Sequence, residues 1–166
     1  MDAPYVTPAE ASAAEAIAAL KEELAFFEDW LDRYEQVIDW GRALPAFPAA
    51  WREPSRRVEG CQSQVWLDSR MADGRLWLAG ASDAAIVQGL VAMLLRIYSG
   101  RTPEEILAAD AGGFLKEMDL IGNLSANRGN GVAALIRRIC ALAAAAAAPH
   151  ASAAGPSTAA AGHQAA

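Results

Sequence analysis

The chain has 166 residues, 54% of them apolar, a formal net charge of −6 and a pI of about 4.9. That length can bury one proper core, and the acidic balance, with Lys21 and Lys116 as the only lysines, argues against nucleic acid or anionic membrane as partners, since both need clustered cations. No apolar run reaches the ~18 residues of a membrane span, and Met1-Asp2-Ala3-Pro4 has neither the basic nor the apolar stretch of a secretory leader, so the expected setting is cytoplasmic.

Residues 1–9 read as a loosely held lead-in, residues 10–143 as one domain, and residues 144–166 as an alanine-rich, low-complexity tail that is disordered beyond Pro149. A helix is expected from about Glu10, with Ile17, Leu20, Leu24 and Phe27 at spacings of three and four. A second follows from Trp30 to Arg42 with Leu31, Tyr34, Val37 and Ile38 as its buried stripe, and Pro45 and Pro48 prevent its continuation. Residues 43–56 form an irregular connector whose aromatic residues pack in the core.

Ala72-Asp73-Gly74 is a turn signal between two alternating runs, Gln64–Met71 and Arg75–Ala81. With Asp73 and Gly74 as loop residues, Met71 faces Leu76 and Ser69 faces Leu78. One face then carries Val65, Leu67, Met71, Leu76 and Leu78, and the other Trp66, Asp68, Arg70 and Trp77, with a cation–π pair expected between Arg70 and Trp77. Ser82 is expected to cap a central buried helix from Asp83 to about Tyr98, with Asp83 in its first turn. Thr102-Pro103-Glu104-Glu105 starts a short helix, Asp110 caps another, and a last helix begins near Ser125 or Asn127 with Val132, Leu135, Ile136, Ile139 and Leu142 inward.

The stretch that carries chemistry is Arg57-Val58-Glu59-Gly60-Cys61-Gln62-Ser63-Gln64-Val65-Trp66-Leu67. The segment before Gly60 can pair as a short strand, which puts Cys61 on a loop tip at a sheet edge. A glycine-flanked, polar loop suits a reactive thiolate; the other reading is a buried, inert cysteine. Cys140, mid-helix beside the apolar stripe, reads as core filler, and both cysteines as free thiols. The only histidines, His150 and His163, lie in the tail, so no imidazole is available to a Cys-His hydrolase. Ligands for zinc, thiolates for an iron–sulfur cluster and a C-x-x-C pair are lacking as well, so no metal and no cofactor are expected. A single thiol without a base can still attack a sulfur–sulfur bond and carry the resulting persulfide. The Gly60 hinge would let Cys61 tuck against Val58, Val65, Trp66 or Ile86 and swing out again.

The Gly60-Cys61-Gln62-Ser63-Gln64-Val65-Trp66 stretch resembles the SufE family, as do Trp30-Leu31-Asp32-Arg33-Tyr34, Ser82-Asp83 with the helix after it, Tyr98-Ser99-Gly100-Arg101-Thr102-Pro103-Glu104-Glu105-Ile106 and Leu124-Ser125-Ala126-Asn127-Arg128-Gly129-Asn130-Gly131. The chain departs from the family pattern at Ala81 and Ala126. The resemblance implies an α/β (α+β) domain of two layers, a small antiparallel sheet of about three strands covered by helices. It also implies a sulfur acceptor that takes persulfide sulfur onto Cys61 from a pyridoxal-phosphate-dependent cysteine desulfurase of the SufS or CsdA kind. The acceptor stimulates that enzyme and passes the sulfur to an iron–sulfur scaffold or another recipient. Gly60, Gln62, Ser63, Asp83 and Arg128 are the expected supporting and partner-contact residues. For Asp83 the plainer reading is a helix-start acid, and for Arg128 a solvated or ion-paired first-turn arginine. The rival reading of the whole chain is a binding module that activates a desulfurase without carrying sulfur.

Overall fold

Two strands hold the centre of the fold, β1 (Val65–Ala72) and β2 (Arg75–Ser82), paired antiparallel. The computed structural model describes residues 1–124 and 126–148; the tail beyond, expected to be disordered, lies outside the described residues. Asp73 and Gly74 make the turn at positive φ, 53° and 73°, a geometry whose twist matches that of the strands it joins. The register is the expected one, Met71 opposite Leu76, Ser69 opposite Leu78 and Arg70 opposite Trp77.

Val65, Leu67, Leu76 and Leu78 are buried in the main core with α1 (Ala13–Ala25) and the central helix α3 (Ala85–Tyr98). Helix α3 lies close on β2: a Cβ on Gly80 would stand 3.0 Å from Val91 Cγ1. Met71, expected on this covered face, sits at the turn end and is 44% exposed. The opposite face is covered too. Phe47 and Trp51 from the connector and Tyr5 from the lead-in close over Trp66, Ala79 and Ala81, and Tyr5 and Arg56 both hydrogen-bond the Asp68 carboxylate. Among the described residues the cation–π contacts are Arg52 on Trp66, 5.0 Å, and Arg56 on Trp51, 4.9 Å, rather than Arg70 on Trp77.

The expected count of about three strands is corrected to two. The third shrinks to a single bridge between Arg57 and Trp66. A 3₁₀ turn over Pro54–Arg56 takes the residues that would extend it on one side, and Gly60, at φ 88°, turns the chain away on the other. The free edge of β2 is blunted by short pairings with Arg101 and with Val6. The lead-in is therefore tied down: Val6 N–H donates to Leu78 O at 2.9 Å, and Ser99 Oγ donates to Val6 O at 2.6 Å.

Helix α2 (Trp30–Arg42) lies backbone to backbone on α3. A Cβ on Gly89 would fall 2.1 Å from Val37 O, and one on Gly41 would fall 2.6 Å from Gly89 N. The contact face of α2 runs through Val37 and Gly41, which leaves Leu31 67% exposed instead of buried. Thr102 caps α4 (Pro103–Ala108) as expected, while the Glu105 carboxylate accepts from Ala13 N–H at 2.8 Å and so holds the start of α1. Asp110 caps α5 (Ala111–Glu117). Helix α6 (Ala126–Ala147) buries Val132, Leu135, Ile139 and Ala143 and leaves Arg137 and Arg138 exposed. Its stretch Arg128–Ala147, with mean hydropathy 1.4, is long and apolar enough to cross a membrane by length and composition. The stripe Val132, Leu135, Ile139 and Ala143 packs in the core, and 28% of the stretch is buried.

Candidate functional site

Residues Glu59–Ser63 form a short loop between two fixed points. At one end Val58 N–H donates to Val65 O at 2.8 Å. At the other, Gln64 is held on both sides of its backbone. Its N–H donates to Asp83 Oδ1 at 2.9 Å, and its carbonyl accepts from Ser82 Oγ at 2.8 Å and from Asp83 N–H at 3.2 Å. Gly60, in the left-handed region that favours glycine, turns the loop inward. Cys61 thereby comes to lie half-buried against the first turns of α6, its thiol donating to Gly131 O at 3.4 Å.

Cys61 forms one wall of a small cavity. Gln62 and Ser63 come from the loop, Val65 from β1, Val87, Leu90 and Val91 from α3, and Arg128, Gly131, Val132 and Leu135 from α6. The space inside is about 20 Å³, room for one water-sized group. Burial pushes the Cys61 thiol above its ordinary value; Arg57 pulls it down and Glu59 pushes it up. At rest the site therefore holds a protonated, sheltered thiol.

Residues 18–143 match the model of the family described as "SufE: Fe-S metabolism associated domain". The chain belongs to the SufE family. An uncharacterized SufE-like protein of Rhizobium meliloti (strain 1021) is 43% identical over 122 residues, covering 71% of this chain and 87% of the relative. One from Rhizobium etli is 41% identical over 122 residues, covering 71% and 82%. The solution structure of a hypothetical protein from Thermus thermophilus superposes with a TM-score of 0.63 over 81% of this chain and 94% of that one; at 20% identity the likeness is one of fold.

Of the residues expected to support the site in this SufE-family chain, Gln62, Ser63 and Arg128 share the cavity with Cys61. Gly60 supplies the bend. Asp83 stands elsewhere than expected: β2 runs on to Ser82 and α3 starts at Ala85, so Asp83 precedes the helix and anchors Gln64 instead of occupying the first turn. Of the expected shelter residues, Val65 lines the cavity; Val58 and Ile86 are buried in the main core and Trp66 packs on the opposite face of the sheet. The remaining walls, Val87, Leu90 and Val91 on α3 and Val132 and Leu135 on α6, were legible as core but not as cavity, since helical spacing is the same for both. Among the described residues no three His, Cys, Asp or Glu side chains come together to hold a metal ion.

Proposed function

We propose that Cys61 is a sulfur acceptor serving a pyridoxal-phosphate-dependent cysteine desulfurase, within the iron–sulfur metabolism to which the family belongs. The observation that carries this reading is a lone thiol on a hinged loop, seated in an apolar cavity large enough for one small group. In the transfer, Cys61 first loses its proton to solvent as the loop leaves its seat. Its thiolate attacks the outer sulfur of the desulfurase persulfide. A new sulfur–sulfur bond forms on Cys61, the partner's bond breaks, and the partner's cysteine leaves as thiolate. No net oxidation occurs, and no base or metal is required of this chain.

Returned to its seat, the outer sulfur has apolar walls around it, which exclude small thiols that would strip it by exchange. The sulfur then goes to an iron–sulfur scaffold or another acceptor by the same exchange. The cytoplasm, where thiols stay reduced, is the proposed setting. The rival reading, an activator that carries nothing, draws on the same burial, which holds the thiol protonated and slow. Steady-state turnover of a cysteine desulfurase separates the two. Cys61→Ser is expected to abolish stimulation, because an alcohol accepts no sulfane sulfur, and Cys140→Ser to preserve it. Full stimulation by Cys61→Ser would establish the activator.

A further inference from the structure

Glycine inside a helix is less stable than alanine by about 1 kcal/mol, yet α6 has two in its opening turns, Gly129 and Gly131. Backbone geometry explains neither, since the glycines at positive φ are Gly60, Gly74 and Gly100. What stands beside them differs. A Cβ on Gly129 would lie 3.0 Å from Ile121 Cγ2. The three atoms nearest a Cβ on Gly131 all belong to Cys61: Sγ at 3.3 Å, and Cα and Cβ at 3.4 Å. Sulfur is larger than carbon, so the first of these is a real overlap. The carbonyl of the same residue accepts the Cys61 thiol hydrogen.

We propose that Gly131 is the positioning residue of the acceptor: its missing side chain is the space in which Cys61 sits, and its carbonyl is the latch that holds the thiol there. The proposal rests on the reading of Cys61 as acceptor and adds which residue decides between its seated and released positions. A partner drawing the loop outward has to break one weak S–H···O bond at this point. With a methyl group at position 131 the loop yields rather than the helix, because α6 is fixed by Val132, Leu135 and Ile139 in the core, while Cys61 follows a glycine hinge.

The test is the rate at which iodoacetamide alkylates Cys61 in the full chain carrying Cys140→Ser, followed by peptide mass spectrometry. Gly131→Ala is expected to raise that rate on the order of tenfold, and Gly129→Ala, with an equal gain in helix propensity, to stay within about twofold of the parent. The alkylation profile of Gly131→Ala also moves to lower pH, since burial no longer holds the thiol up while Arg57 before the loop, Glu59 in it and Arg128 on α6 remain. Where Gly131→Ala lowers the melting temperature, adding Cys61→Gly raises it again, because Sγ and Cβ are removed and the Cα that remains, at 3.4 Å, is in ordinary contact. An unchanged rate in Gly131→Ala, an equal acceleration in Gly129→Ala, or a melting loss that persists in the double variant overturns the proposal. None of these measurements involves sulfur transfer, so they stand whether or not Cys61 proves to carry it.

Discussion

Asp83→Ala removes the carboxylate that accepts from Gln64 N–H at 2.9 Å, one of the bonds that pin the end of the Cys61 loop. The Gln64 carbonyl keeps its bonds from Ser82 Oγ and Asp83 N–H, so the loop is loosened rather than detached. A hydrogen bond to a charged acceptor stabilises by about 1.5–3 kcal/mol when shielded, and Asp83 is exposed, so about 1 kcal/mol is the appropriate figure. That corresponds to about a fivefold larger population with Cys61 out of its seat, and to the same gain in alkylation rate when reclosing is faster than alkylation. The assay is iodoacetamide modification of Cys61 at fixed pH, with the melting temperature as control, expected to fall by no more than about 2–4 °C. Asp83→Asn keeps an acceptor oxygen and is expected within about twofold of wild type. A wild-type rate in Asp83→Ala would refute the anchoring role, and equal acceleration in Asp83→Asn would assign the effect to charge rather than to the bond.

Gly89→Ala drives a methyl group into Val37 O, a backbone atom that no rotamer change can move aside, and is expected to cost about 3 kcal/mol, or roughly 6–12 °C of melting temperature; a shift within error of wild type would contradict the close α2–α3 approach. Deleting residues 1–9 cuts the Val6–Leu78 and Ser99–Val6 bonds and uncovers Trp66, and is expected to cost about 2 kcal/mol, read as roughly 4–8 °C by thermal melting. Because burial raises the Cys61 thiol in the folded protein, its alkylation rate rises at higher pH than that of an unfolded peptide of the same sequence, and coincident profiles would show an exposed thiol. By the same sign, the stability gained from the buried neutral thiol is complete below the ordinary thiol value and is lost as pH rises through the folded one, which denaturant titrations at neutral and alkaline pH measure.

The hairpin and its register were legible because Asp73-Gly74 permits one turn geometry and the alternating residues on either side agree with it. The start of α4 was equally plain from Thr102-Pro103, though the destination of Glu105, the Ala13 N–H some ninety positions earlier, was not. Ser82-Asp83 reads locally as a helix start; only the extension of β2 to Ser82 turns both side chains across the sheet to Gln64. The third strand, implied by the family resemblance and by a segment before Gly60 able to pair, is cut to one bridge by the turn at Pro54–Arg56, which local sequence did not reveal. Cys61 was identifiable by its neighbours in sequence, whereas its seat is built from helices distant along the chain. One local signal of that seat was available in Gly131, a helix-interior glycine with no backbone reason to be there.

Sulfur acceptance is tested most directly by mass spectrometry of the intact chain and its Cys61 peptide after incubation with a cysteine desulfurase and cysteine, with thiols blocked rather than reduced. The expected result is an added mass of one sulfur atom on Cys61, absent in Cys61→Ser and retained in Cys140→Ser. Desulfurase stimulation with no sulfur on Cys61 at any time point would contradict it.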